Sequence, residues 1–164
     1  HPGLIPTARA AVASVTTAPN QLERMREDVK VGASDLLATP TGPRSEAGLR
    51  LNVRVGIQYL EAWLSGNGCV PLYFMMEDAA TAEISRAQVW QWRKHGATLD
   101  DGRVVDAALV ERVIAEELEV VRAELGDATF ESGRFALARE LFTELVLADE
   151  LADFLTLRAY SQLE

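Results

Sequence analysis

Ser45-Glu46-Ala47-Gly48-Leu49-Arg50-Leu51-Asn52-Val53-Arg54-Val55-Gly56-Ile57-Gln58-Tyr59-Leu60-Glu61-Ala62-Trp63-Leu64 is the stretch on which the fold turns. Within it Leu49, Val53, Ile57, Leu60 and Leu64 recur at spacings of four, four, three and four. An α-helix has about 3.6 residues per turn, so these side chains line one face, and Arg50, Arg54 and Glu61 fall off it. Asn67-Gly68 then offers the left-handed backbone that commonly closes a helix.

The same period continues outward. A second helix is predicted over about Ala79 to His95, stopped by Gly96, with an apolar face of Ile84, Ala87 and Trp90 widened by Val89 and Trp92. A third runs from Asp106, a suitable N-cap, to Leu125, with Val110, Ile114, Leu118, Val121 and Leu125 in register. Glu116, Glu117 and Glu119 charge its other side. A fourth covers Ser132 to Ala148 through Leu137, Leu141, Leu145 and Ala148, and Asp149 can cap a short last helix carrying Leu151, Phe154 and Leu155. Asp101-Gly102, between Thr98-Leu99 and Val104-Val105, marks a tight turn or a very short hairpin. Ala38-Thr39-Pro40-Thr41-Gly42-Pro43 is the strongest breaker cluster and divides residues 1–40 from residues 41–164. In the first part, Pro6 to Val15 and Gln21 to Val29 read as helices and Ser34 to Ala38 as one short turn. The expected architecture is all-α, with about five main helices around one core.

Composition fits a globular chain: 164 residues, 48% apolar and 25% charged. A chain that opens on His1 rather than Met reads as a processed or excised piece of a longer polypeptide. No secretory signal follows His1, the apolar runs are too short to span a bilayer, and Ser161-Gln162-Leu163-Glu164 is not a Ser-Lys-Leu address. Sixteen basic against twenty-five acidic side chains leave a formal charge of −9, which argues against broad binding to nucleic acid or anionic membrane. Cys69 has no partner for an internal disulfide, which suits a reducing cytoplasm. His1, His95 and Cys69 are too few soft ligands for a structural zinc site.

Chemistry concentrates in Val70-Pro71-Leu72-Tyr73-Phe74-Met75-Met76-Glu77-Asp78, an apolar run ending in two carboxylates immediately before a helix. On spacing alone Asp78 reads as the N-cap of that helix, meeting unpaired backbone N–H groups. The alternative is that the run delivers Asp78 to a dry cleft as a general base on a carbon acid. The two roles oppose each other, because a carboxylate satisfied by N–H donors is a weaker base. With no adjacent Ser, Cys or His, Asp78 is not one arm of a nucleophilic triad.

The string Met75-Met76-Glu77-Asp78-Ala79-Ala80-Thr81-Ala82-Glu83-Ile84-Ser85-Arg86, continuing through Ala87-Gln88-Val89-Trp90-Gln91-Trp92, resembles the stretch around the catalytic aspartate of A-type malate synthases. The likeness includes Glu46-Ala47-Gly48-Leu49-Arg50-Leu51-Asn52-Val53 and Gly56-Ile57-Gln58-Tyr59-Leu60-Glu61-Ala62-Trp63-Leu64 upstream. His1-Pro2-Gly3-Leu4 is similar to the segment that finishes the family's TIM barrel, and Asp153-Phe154-Leu155-Thr156-Leu157 to its C-terminal end.

That resemblance implies a helical C-terminal domain that covers a barrel mouth, in an enzyme joining acetyl-CoA to glyoxylate to give malate and CoA in the glyoxylate cycle. It implies that Asp78 takes a proton from the acetyl methyl group. It also implies that a Mg²⁺ ion and the glyoxylate-binding Arg belong to the barrel, which this sequence lacks. This chain then binds no metal and is inactive alone. Met76 and Pro2 are candidates for the wall of the CoA channel, although a Met is commonly packing. Asp100-Asp101 reads as a turn feature and Glu77 as a neighbour that orients Asp78 or binds solvent. Arg50, Arg54 and Arg86 read as ion pairs or solvated groups before CoA-phosphate ligands, Trp63, Trp90 and Trp92 as core or interface anchors, and Cys69 as a buried or incidental thiol. His95 reads as a partner of the helix-terminal carbonyls.

Two rivals stand beside this expectation. One is an all-α interaction domain in which the Asp78 segment is only a loop and a cap. The other is citrate-synthase-like carbon-acid chemistry, for which His1 and His95 are a poor supply of carbonyl-polarising histidines.

Overall fold

A computed structural model describes residues 1–163. His1–Gly42 forms one compact unit and a second begins at Pro43. In the first, a 3-10 turn at Pro2–Leu4 runs into α1 (Ile5–Val15), and α2 covers Ala33–Leu37. The expected helix over Gln21 to Val29 does not form. Isolated turns, Arg24 N–H to Gln21 O and Val29 N–H to Arg26 O, stand there instead. Leu22, Met25 and Val29 are exposed, so the segment has no apolar burial to offset the cost of nucleating a short helix.

The second unit is built on α3 (Glu46–Leu64), capped by Ser45, whose hydroxyl accepts the Gly48 N–H at 3.1 Å. All five stripe residues, Leu49, Val53, Ile57, Leu60 and Leu64, are buried. Val55, Gly56 and Tyr59 are buried as well, which makes α3 the central helix rather than a surface one. Gly66, with φ of +88°, ends it, not Asn67-Gly68. Asn67 instead accepts the Cys69 N–H at 3.2 Å and starts a hairpin.

That hairpin, β1 (Cys69–Leu72) and β2 (Met75–Asp78), is antiparallel, pairing Cys69 with Asp78 and Leu72 with Met75. It leads directly into α4 (Ala79–Lys94), which ends one residue before His95 and Gly96. The buried face of α4 is Ala82, Ser85, Arg86 and Val89. Ile84, expected on that face, is exposed. Thr98 and Val104 form a single antiparallel bridge around the Asp101-Gly102 turn, where Leu99 donates to Arg103 O at 2.8 Å.

Next comes α5 (Ala107–Leu125), capped by Asp106 through the Leu109 N–H at 2.8 Å. The expected fourth helix, Ser132 to Ala148, is α7 (Phe135–Leu147), and a short helix that the spacing did not show, α6 (Asp127–Ser132), precedes it. The break falls at Gly133, where a Cβ would stand 3.0 Å from the Phe135 ring, and Arg134 donates its N–H to Glu61 at 3.2 Å. The last helix, α8 (Leu155–Tyr160), is not capped by Asp149, which is exposed beside Lys94 at 3.8 Å. The chain before α8 is instead strapped to α4. Trp90 Nε1 donates to Ala148 O at 2.8 Å, Arg93 Nε to Val146 O at 3.2 Å and Arg86 Nη2 to Ala152 O at 2.8 Å. The core is drawn from α3, α4, α5, α7 and α8, an all-α domain with one small hairpin.

Candidate active site

Period-two alternation in the hairpin decides which side chains face out. Val70 and Glu77 oppose each other on the inner face, where Glu77 is only 4% exposed. Cys69, Pro71, Met76 and Asp78 lie on the outer, exposed face, so Met76 and Asp78 share one side of β2. Cys69, expected to be buried or incidental, is thus an exposed free thiol and the cross-strand neighbour of Asp78.

Asp78 is the N-cap of α4. Its Oδ1 accepts the N–H groups of Ala80 at 2.9 Å and Thr81 at 3.1 Å, and the Thr81 hydroxyl accepts the Asp78 N–H at 2.9 Å. No hydrogen bond from the described residues reaches Oδ2. The cap and a free acceptor therefore coexist on one carboxylate. Around it lies an open, mainly apolar depression lined by Gly68, Ala79, Ala80, Glu83, Ile84 and Phe154. Tyr59 stands beneath the hairpin with its hydroxyl donating to Gly68 O at 3.3 Å. Burial chiefly, then the nearby Asp78 and Cys69, push the Tyr59 hydroxyl above its usual range.

The hairpin turn is held from two helices. Tyr73 Oη donates to Glu124 at 2.9 Å and accepts from Gln58 Nε2 at 2.7 Å, and the Arg54 guanidinium lies 4.8 Å from its ring centroid. Burial raises the Tyr73 hydroxyl, Glu124 adds to that, and Gln58 and Arg54 oppose it. Arg54 lies 2.8 Å from Glu117 and 3.3 Å from Glu124. Arg50 reaches Glu46 at 2.7 Å, Glu116 at 2.5 Å and Glu117 at 2.9 Å. Both arginines are thus engaged in ion pairs between α3 and α5.

Arg86 is 1% exposed and pairs with Glu83, whose other oxygen accepts the Leu155 N–H at 2.8 Å. Burial pulls the Arg86 guanidinium below its usual range. Trp63, Trp90 and Trp92 are partly buried, and His95 presents an edge-on contact to Trp90 at 6.4 Å. Asp101 is a turn residue that accepts the Arg103 N–H at 3.0 Å. Pro2 is exposed in the 3-10 turn of the first unit, whereas Met76 and Asp78 stand together in the second. Among the described residues no group of three or more His, Cys, Asp or Glu side chains could hold a metal ion, and no helix is long and apolar enough to cross a membrane.

Tyr73 and Glu83 were not singled out by spacing, and Phe154 was named only as an apolar residue of the last helix.

A family model described as "Malate synthase, C-terminal" matches residues 43–163. Malate synthase of Myxococcus xanthus (strain DK1622) is 53% identical over 164 residues, covering 100% of this chain and 30% of that protein. Malate synthase A of Escherichia coli (strain K12) is 51% identical over 162 residues, covering 98% of the chain and 30% of that protein. The glyoxysomal malate synthase of Zea mays is 52% identical over 167 residues, with 98% and 30% covered. The chain spans about 30% of the length of these curated relatives. With its helical unit matched almost end to end, the chain belongs to the malate synthase C-terminal family.

Proposed function

We propose that this chain is the base-bearing C-terminal part of an enzyme that condenses acetyl-CoA with glyoxylate and water to give malate and CoA. The observation that carries the reading is the division of labour on Asp78: Oδ1 is bound to the α4 N-terminus, Oδ2 has no hydrogen bond from the described residues, and Asp78 lines a mainly apolar depression. A base must be held still and still have a free lone pair, and a capped carboxylate with one unpartnered oxygen meets both needs. Asp78 Oδ2 takes a proton from the acetyl methyl carbon, and the C–H electron pair becomes that of the enolate. The enolate carbon bonds to the aldehyde carbon of glyoxylate as the C=O π pair moves onto that oxygen, which takes a proton to become the hydroxyl of malate. Water then adds to the thioester carbonyl and the C–S bond breaks, leaving malate's second carboxylate and CoA as its thiol.

Among the described residues no group of three or more His, Cys, Asp or Glu side chains could hold a metal ion, and the steps above are those of the chain's own residues. The Mg²⁺ and the glyoxylate-binding arginine of the resemblance are assigned to a TIM barrel preceding His1. Residues 1–40 then complete and leave that barrel, and the helical part from residue 41 covers its mouth. Met76, exposed on the same strand face as Asp78, supports a place on the CoA channel wall. Pro2 enters the same proposal through the family resemblance alone. The proposed location is the cytoplasm, where a chain with the single Cys69 needs no disulfide.

The test is Asp78→Asn in the complete polypeptide. It is expected to bind glyoxylate normally and to lose exchange of acetyl-methyl protons with deuterated water. Near-normal turnover in that variant removes Asp78 from the mechanism. The isolated chain is expected to form no malate from acetyl-CoA, glyoxylate and Mg²⁺.

A further inference from the structure

We propose that Tyr73 is a positioning residue for Asp78, acting through the hairpin that joins them; the proposal rests on the reading of Asp78 as the base. A two-stranded hairpin has little stability of its own. This one is closed by the two-residue loop Tyr73-Phe74, with φ of +51° and +64°. Hairpin loops with both central residues left-handed ordinarily carry Asn, Asp or Gly, so bulky side chains there persist only where the surroundings hold them.

What holds Tyr73 is specific. Its hydroxyl bridges Gln58 of α3 and Glu124 of α5, and its ring lies under Arg54, itself paired with Glu117 and Glu124. Glu117 is buried, so Arg54, which covers the Tyr73 ring, is itself anchored on α5. The other end of β2 is Asp78, about 13 Å along the strand from Phe74 at a rise of about 3.3 Å per residue. Asp78 remains extended, with φ of −127° and ψ of −174°, so the strand direction sets its backbone as α4 begins. The α4 cap fixes where Oδ1 sits. The clamp fixes the direction from which the strand arrives, and with it where Oδ2 and Met76 point. Catalytic distances tolerate little error, and a misplacement of about 1 Å costs on the order of a hundredfold in rate.

The experiment measures kcat and KM in the complete polypeptide for Tyr73→Phe, Glu124→Leu, Glu124→Gln and the double variant Tyr73→Phe/Glu124→Leu, with thermal unfolding alongside. Tyr73→Phe keeps the ring under Arg54 and removes both hydroxyl bonds. Tyr73→Phe and Glu124→Leu are each expected to lower kcat and acetyl-methyl exchange by about tenfold, with KM for acetyl-CoA changed by less than about twofold. The double variant should be no worse than the poorer single one, and Glu124→Gln, which keeps an acceptor, should retain more kcat than Glu124→Leu. A kcat within about twofold of the parent in both single variants overturns the proposal, as does a loss that only follows the folded fraction. If Tyr73→Phe does not fold, the Glu124 pair decides alone. Asp78→Asn run in parallel separates the two ideas: its inactivity beside a fully active Tyr73→Phe sinks only the clamp.

Discussion

Asp78 and Thr81 cap each other: the carboxylate accepts the Thr81 N–H at 3.1 Å while the Thr81 hydroxyl accepts the Asp78 N–H at 2.9 Å. Asn caps helices about as well as Asp, whereas losing the acceptor to Ala costs roughly 0.5–2 kcal/mol. Asp78→Asn is therefore expected to unfold at nearly the parent's denaturant midpoint, and Asp78→Ala at a lower one. Urea titration of the three proteins checks this. Equal midpoints for Asn and Ala would show that the cap contributes nothing, and would leave activity loss in either variant attributable to chemistry alone.

Gly56 of α3 lies against the Phe142 ring of α7. A Cβ at Gly56 would stand 2.2 Å from Phe142 Cε2 and 2.8 Å from Cδ2, and the ring is fully buried. Ala gains about 1 kcal/mol of helix propensity over Gly, but overpacking a closed core costs roughly 1–3 kcal/mol. Gly56→Ala is expected to lower stability on balance. Adding Phe142→Leu should recover part of that loss, because a smaller side chain relieves the contact. A Gly56→Ala protein more stable than the parent would mean that α3 and α7 can separate freely.

The stripe of α3 was legible because Leu49, Val53, Ile57, Leu60 and Leu64 obey one period and all are buried. The hairpin was not, because Tyr73-Phe74 carries none of the Gly or Asn that marks a tight turn; its left-handed backbone is held by Gln58, Glu124 and Arg54, distant in sequence. Without strands, nothing in the spacing placed Met76 and Asp78 on one face. Ile84 misled as well: its size suggested the core, yet the buried face of α4 is Ala82, Ser85, Arg86 and Val89. A sequence shows a residue and not its two oxygens, so nothing in the spacing said that one Asp78 oxygen takes the α4 N–H groups while the other has no hydrogen bond from the described residues.

Acid should loosen the end of the domain where α3 begins. Arg103, then Arg50, hold the Glu46 carboxyl below its ordinary range, and Arg103 does the same to Asp101. A carboxylate with a lowered folded pKa contributes stability that is fully present above its unfolded pKa, about 4.3 for Glu. That contribution fades as pH falls from there through the folded value. Glu46→Gln is therefore expected to remove a small contribution at pH 7 and to flatten the loss of stability between about pH 5 and pH 2 by the same amount, as this ion-pair network is only partly buried. Urea midpoints measured across that range test it. An unchanged acid slope would show that Arg103 and Arg50 do not distinguish folded from unfolded Glu46.

The straps on α4 supply the sharpest energetic contrast. Arg86 is 1% exposed, pairs with Glu83 and Ala152 O, and has Nε and Nη1 without partners. Removing one member of a buried ion pair costs roughly 3–5 kcal/mol, because the other charge is stranded, whereas replacing both by apolar groups can be close to neutral. Glu83 carries a second duty, accepting the Leu155 N–H that starts α8 directly after Phe154, part of the depression beside Asp78. Glu83→Leu should therefore be strongly destabilising. Glu83→Leu/Arg86→Met should be more stable than Glu83→Leu alone, yet still below the parent, because Leu155 loses its acceptor. If the double variant instead loses as much as the two single variants added together, the pair is not coupled and the α7–α8 segment is held by the Trp90 and Arg93 bonds to Ala148 and Val146.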